Sequence, residues 1–247
     1  MAQPDIGTLT VPDHIWGFPG VAHGGYVAGR LAELAGAEDL RLDLRRPIPV
    51  GQPLSIERSG PDSWTLSGDG GPLAAARIVA PGIAVPALPG WDEGLAGIEQ
   101  RRTAERAGNA FPDCWVCGSG RPAGQGLHVL LGLVPGRAVV AAAWTPGPEA
   151  GDPGEELSLA SVFAVLDCPG GWACRAFAGA PIAETVTAFQ TSRRLRPVRA
   201  GEPYVVSGWS VAAEGRKYRT GSAISTPDGE LCAIAESLWL DVRRGAG

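Results

Sequence analysis

Arg46-Pro47-Ile48-Pro49-Val50-Gly51-Gln52-Pro53 returns as Arg196-Pro197-Val198-Arg199-Ala200-Gly201-Glu202-Pro203. A proline-bounded turn with glycine at the same place, spelled twice, implies that one unit was duplicated and fused. Working outward, each copy is followed by a polar turn and a run of small apolar residues, 71–76 in the first half and 229–234 in the second. Each is preceded by one apolar segment with helical spacing, 24–34 and 157–166. Two copies of helix, strand, turn, strand, strand predict a duplicated α+β unit with its site where the copies meet.

The chain has 247 residues and a formal net charge of −5, enough length for two modest domains and too little basic charge to neutralise a phosphate backbone. Nucleic-acid binding is therefore excluded. No basic segment followed by an apolar core opens the sequence, and no uncharged run approaches the ~18 residues of a membrane span, so a soluble, cytoplasmic protein without a membrane partner is expected. Five cysteines, an odd number, fit reduced thiols better than a disulfide framework.

The division expected is a first unit over residues 1–80, a Pro-rich and charged linker over 81–110, and a second unit over 111–247. Strands are expected at 40–44, 54–57, 64–66 and 73–79, then at 126–133, 138–144, 184–195, 203–211, 219–225 and 231–242. Pro169, with Gly170 and Gly171 behind it, is expected to end or kink the second helix.

His23-Gly24-Gly25 opens the first helix. Glycines there let a ligand approach bare N–H groups at the positive end of the helix dipole, which suits a developing negative charge. The same residues also fit a tight turn with a structural His23, and the spacing alone leaves both readings open. Asp167 follows the apolar run 162–166, where burial and the negative helix end would both raise its pKa towards base chemistry. A helix-terminal Asp bonded to nearby polar groups is the plainer reading. Aligning the helices through Leu31 and Leu166 puts Ala32 at the counterpart of Asp167 and Ser158 at that of His23. One copy keeps the glycine entrance and the other keeps the acid.

Cys114 and Cys117 have C-x-x-C spacing, but a zinc site needs two more ligands. Cys168, Cys174 and His128 are candidates in principle, and none repeats the close spacing, so no metal is assigned. Glu236 lies within an apolar strand and is a secondary candidate for a cleft. Arg193 and Arg194 fit either the phosphates of a nucleotide-bearing carrier or a solvated pair. No P-loop, dinucleotide fingerprint or G-x-S-x-G elbow is present.

The helix opening His23-Gly24-Gly25-Tyr26-Val27-Ala28, the strand entry Arg196-Pro197-x-x-x-Gly201-Glu202-Pro203 and the closing Asp228-Gly229-Glu230-Leu231-x-Ala233 resemble the hotdog fold of acyl-CoA thioesterases. The pair is similar to double-hotdog enzymes of the thioesterase II kind. Cys114-Trp115-Val116-Cys117-Gly118, Leu166-Asp167-Cys168-Pro169-Gly170-Gly171-Trp172-Ala173 and Glu214-Gly215-Arg216-Lys217 are similar to an actinobacterial branch of PaaI-like proteins. The resemblance implies an α+β tandem hotdog, each unit a long helix wrapped by an antiparallel sheet. It also implies an acyl-CoA or acyl-carrier thioester as substrate, no cofactor, and a monomer or homodimer of double hotdogs.

Residue by residue, it implies that Asp167 activates water, Thr187 on the next strand holds it, and N–H groups near Gly24 and Gly25 polarise the carbonyl. His23, Tyr26, Glu236, Ser237, Arg193 and Arg194 would then contact substrate. Thioesterase II relatives carry a glutamine on the final strand, where this chain has Glu236 or Ser237, so the usual triad is not reproduced. Hydratases of this fold carry a His five residues after the helix Asp. Trp172 stands there, which disfavours that chemistry. A non-catalytic acyl-CoA or hydrophobic-ligand-binding protein is the alternative.

Overall fold

The computed structural model describes residues 5–106, 111–181 and 184–243. The first half runs β1 (Asp5–Thr10), β2 (Trp16–Phe18), β3 (Val21–Ala22), α1 (Gly24–Ala35), β4 (Asp39–Leu44), β5 (Pro53–Gly60), β6 (Ser63–Gly68) and β7 (Gly71–Arg77). After α2 (Trp91–Glu105), the second half runs β8 (Gly132–Leu133), β9 (Val139–Trp144), α3 (Leu159–Ala178), β10 (Thr185–Arg194), β11 (Tyr204–Glu214), β12 (Lys217–Ser225) and β13 (Leu231–Asp241).

One antiparallel sheet of 11 strands contains both halves, in the order β1-β5-β6-β7-β4-β10-β13-β12-β11-β9-β8. The seam is the ladder between β4 and β10, where Phe189 faces Asp43 and Arg193 faces Asp39. Strand pairing across the seam makes the two units one continuous surface, and α1 and α3 lie together against it. This is the tandem α+β arrangement expected from the repeat.

The two helices are brought to backbone contact by glycine. A Cβ on Gly25 would stand 2.3 Å from the Phe163 carbonyl oxygen, and one on Gly29 would stand 2.2 Å from that of Leu159. No side chain fits in those gaps. Because α1 advances from 25 to 29 as α3 recedes from 163 to 159, the helices are antiparallel, and the start of α1 faces the middle of α3. Phe163 and Leu166 are fully buried beside Val27 and Leu31 in the core that this crossing closes.

Three expectations are corrected. Pro169 does not end α3, which continues for nine further residues to Ala178. Tertiary packing overrides the local rule: Pro169 lies on the bare backbone of Gly208, and the hydroxyl of Ser222 donates to the Leu166 carbonyl from the sheet at 2.6 Å. The strand expected at 126–133 is reduced to Gly132–Leu133, and the stretch before it is turns and irregular chain. A strand not expected at all, β1, pairs with β5 at the sheet edge.

The segment after β7 is more than a tether. Ile83, Leu88 and Trp91 pack on Val139, Ala141, Val205 and Trp209, while the alternate residues Val140, Ala142 and Val206 face the main core. Residues 83–105 thus cover the outer face of the second half's sheet. Among the described residues no helix is long and apolar enough to cross a membrane.

Candidate active site

Asp167 is in the middle of α3, not in its last turn, because the helix passes through Pro169. It is 6% exposed, and the helix crossing aims it at the start of α1. Thr187 Oγ1 donates to Asp167 Oδ1 at 3.0 Å, and the Gly25 N–H donates to Oδ2 at 3.3 Å. His23 Nδ1 lies 3.7 Å from the same Oδ2. Burial drives the Asp167 carboxyl above its usual range, opposed by the His23 charge and by the Thr187 and Gly25 hydrogen bonds. Burial also lowers the His23 pKa, outweighing the Asp167 carboxylate, which raises it. His23 occupies the N-cap position of α1 without capping it through its side chain, which leaves the ring free to face Asp167.

In front of this group is a cavity of about 470 Å³. Its walls are mostly apolar, with Phe18, Leu44, Phe111, Trp172, Val186 and Trp239 among them, and His23, Gly24, Asp167 and Thr187 also line it. Arg45 and Arg46 are exposed and border it. The sequence reading missed these two arginines. Their signal was the Arg-Arg-Pro at the entry to the first copy of the repeated turn, which in the second copy reads Leu195-Arg196-Pro197.

Of the residues named from sequence, His23, Gly24, Gly25, Asp167 and Thr187 come together. The others do not. Tyr26 turns away to an edge-to-face contact with Trp115 at 5.6 Å. Arg193 pairs with Asp39 at 3.0 Å and Arg194 with Glu38 at 2.6 Å, so both tie the seam instead of facing the cavity. Glu236 pairs with Arg219 and accepts the Gly82 N–H at 3.1 Å, fastening the segment after β7. Ser237 is buried opposite Gln190 in the ladder between β13 and β10. On the final strand the cavity wall is Trp239.

A second buried cluster adjoins the carboxylate. Cys114 Sγ lies 3.8 Å from Cys168 Sγ, which lies 3.5 Å from His23 Nε2. Trp172 Nε1 donates to Cys117 Sγ at 3.4 Å. Hydrogen bonds with Cys114 and Cys168 hold the Cys117 thiol well below its usual range, while those with Cys114 and Cys117 push the Cys168 thiol up. Cys174 is not part of it; its thiol donates to the Gly171 carbonyl. His128 faces the Pro122 carbonyl.

A comparison with protein-family models finds no match, and one with curated proteins finds none. Solved structures do match. The tesB protein of Mycobacterium avium subsp. paratuberculosis superposes with a TM-score of 0.61 at 12% identity, over 95% of this chain and 93% of that one. An acyl-CoA thioesterase II, TesB2, from Mycobacterium marinum gives 0.58 at 17% identity, over 97% and 94%. A hot dog fold protein from Alicyclobacillus acidocaldarius gives 0.51 at 12% identity, over 96% and 93%. These likenesses run through both halves of the chain and establish its fold as a double hotdog.

Proposed function

We propose that the protein hydrolyses an acyl thioester, with acyl-CoA as the substrate class. One observation carries the reading: a buried carboxylate, Asp167, is held by Thr187 from the strand and by the start of α1, and it borders an apolar cavity large enough for an acyl chain. In the reaction, Asp167 takes a proton from water as the water oxygen attacks the thioester carbon. The Gly24 N–H, the first of α1 and without a partner inside the helix, stabilises the oxyanion. Collapse of the tetrahedral intermediate breaks the C–S bond, and the departing thiolate takes the proton back from Asp167.

Thr187 fixes the carboxylate through one oxygen and leaves the other towards Gly25 and His23. The exposed Arg45 and Arg46 at the cavity suit the phosphates of a nucleotide carrier, the role assigned in the sequence to Arg193 and Arg194. That assignment is withdrawn, because both are bound in ion pairs at the seam. The named thioesterases of the same fold support the reaction class. Purified protein is expected to release thiol from a panel of acyl-CoA esters.

A second reading is favoured by two observations: the Gly25 N–H is engaged by Asp167 itself, and at the place of the thioesterase II glutamine Glu236 is paired with Arg219 while Ser237 lies opposite Gln190 in the ladder. On that reading the protein binds acyl-CoA without cleaving it. Saturable binding across chain lengths with no thiol release would decide for it.

A further inference from the structure

We propose that His23, Cys114, Cys117 and Cys168 form a zinc site that fastens the irregular segment after residue 111 to both central helices. The reading is independent of the hydrolysis proposed above and goes beyond it.

The spacing of three of the ligand atoms suits a tetrahedral metal centre. Zinc at ~2.3 Å from sulfur and ~2.0–2.1 Å from nitrogen implies ligand edges of about 3.8 Å for S···S and about 3.6 Å for S···N. Cys114 Sγ and Cys168 Sγ are 3.8 Å apart, and Cys168 Sγ and His23 Nε2 are 3.5 Å apart. The three ligand atoms all lie within 4.8 Å of one another. Cys117 completes the C-x-x-C pair and lines the same cavity as the other three. All four side chains are buried.

The surroundings fit as well. A zinc-bound histidine commonly turns its second ring nitrogen to a carboxylate, and His23 Nδ1 is the one that faces Asp167. Thiolate ligands commonly accept N–H bonds, and Trp172 supplies one to Cys117. Three thiolates and one neutral imidazole around a divalent ion leave a net charge of −1. Two arginines answer it, Arg101 and Arg175, whose charges act on these thiols. Arg101 is 3% exposed and stacks 3.8 Å over Trp172.

The fold also gives the site a purpose. Residues 111–131 contain turns but no helix or strand, yet they bury Trp115, Val116, Leu127, Val129 and Leu131 in the main core. A stretch that long without secondary structure needs fastening. The proposed ligands join it to the first turn of α1 through His23 and to the middle of α3 through Cys168. With four protein ligands the centre is closed and structural, and water activation remains with Asp167.

The test uses the full-length protein, purified with reductant and without chelator, and reads metal content by mass spectrometry. About one zinc per chain is expected, with less than about a tenth as much in Cys168→Ser and in Cys114→Ser, while Cys174→Ser and Cys232→Ser keep theirs. Cobalt(II) added to the zinc-stripped wild type should give thiolate charge-transfer and tetrahedral ligand-field bands. The wild-type readings decide the matter even if a cysteine variant does not fold. Metal-free wild type that gives no cobalt bands, although all five thiols titrate after unfolding, overturns the site. A disulfide among Cys114, Cys117 and Cys168 in protein kept under reductant overturns it too, and so does unchanged zinc in His23→Gln and Cys168→Ser. None of these readouts involves turnover, so failure of the hydrolase reading leaves them intact.

Discussion

The antiparallel pair of central helices has two ends that are related by the duplication and differ in chemistry. At one end the start of α1 meets Asp167 of α3. At the other the start of α3 meets Glu33 of α1, and the Ala160 N–H donates to Glu33 Oε1 at 3.0 Å, as the Gly25 N–H does to Asp167. A carboxylate that accepts the opposing helix's first-turn amide thus occurs at both ends of the crossing. It does not by itself mark a reaction centre. What separates the ends is the rest of the shell. Glu33 is partly exposed and paired with Arg30, and nearby Arg194 binds Glu38 and Glu156. The recess there is ringed by ions. Asp167 is buried, held from the strand by Thr187, and opens on apolar walls. The repeat offset of 150 residues (196 − 46) puts Ala37 where the other end has Thr187, so the second end lacks the strand hydroxyl as well as the mostly apolar lining.

The largest expected effect breaks the comparison at the Asp167 end. Asp167→Asn keeps the shape and removes the base, and thiol release should fall by about two decades or more, well beyond what the about 0.5–1.5 kcal/mol of stability lost with one carboxylate hydrogen bond accounts for. Activity retained in this variant would take Asp167 out of the mechanism. Next is the crossing itself. Gly29→Ala drives a Cβ into the Leu159 carbonyl, which neither helix can move aside, and should cost about 1–3 kcal/mol or more in urea unfolding. Thr187→Val should lower thiol release about tenfold, and Thr187→Ser should restore most of it, because the hydroxyl is what orients Asp167. The smallest effect lies at the Glu33 end: Glu33→Gln should cost about 0.5–1.5 kcal/mol of stability and leave turnover unchanged. A drop in turnover matching that of Asp167→Asn would mean that the two ends are not functionally distinct.

Much of this was legible before any coordinates. The repeated Arg-Pro-x-x-x-Gly-x-Pro turn revealed the duplication because turn chemistry is local, and the apolar spacing of α1 and α3 placed both helices. Asp167 stood out as an acid behind an apolar run. What failed was set by partners distant in sequence. Pro169 should have ended a helix by every local rule, but the sheet beneath it holds the helix through. Arg193 and Arg194 read as free cations until the seam supplied Asp39, Glu38 and Glu156. Cys168 could be named only in principle beside Cys114 and Cys117, and His23 was not considered with them. Apart from the C-x-x-C of Cys114 and Cys117 these residues share no spacing, and the fold alone brings His23, Cys114 and Cys168 within reach of one another. The strand β1 was missed because six residues at the chain's edge carry too little pattern to stand out.

The seam between β4 and β10 has a consequence for how such a protein diversifies. Were the halves separate identical subunits, every substitution would appear at both helix ends at once, and an ion-ringed recess could not coexist with an apolar chamber. Covalent fusion lifts that symmetry, so selection is free to specialise one end while the other drifts into a purely mechanical joint.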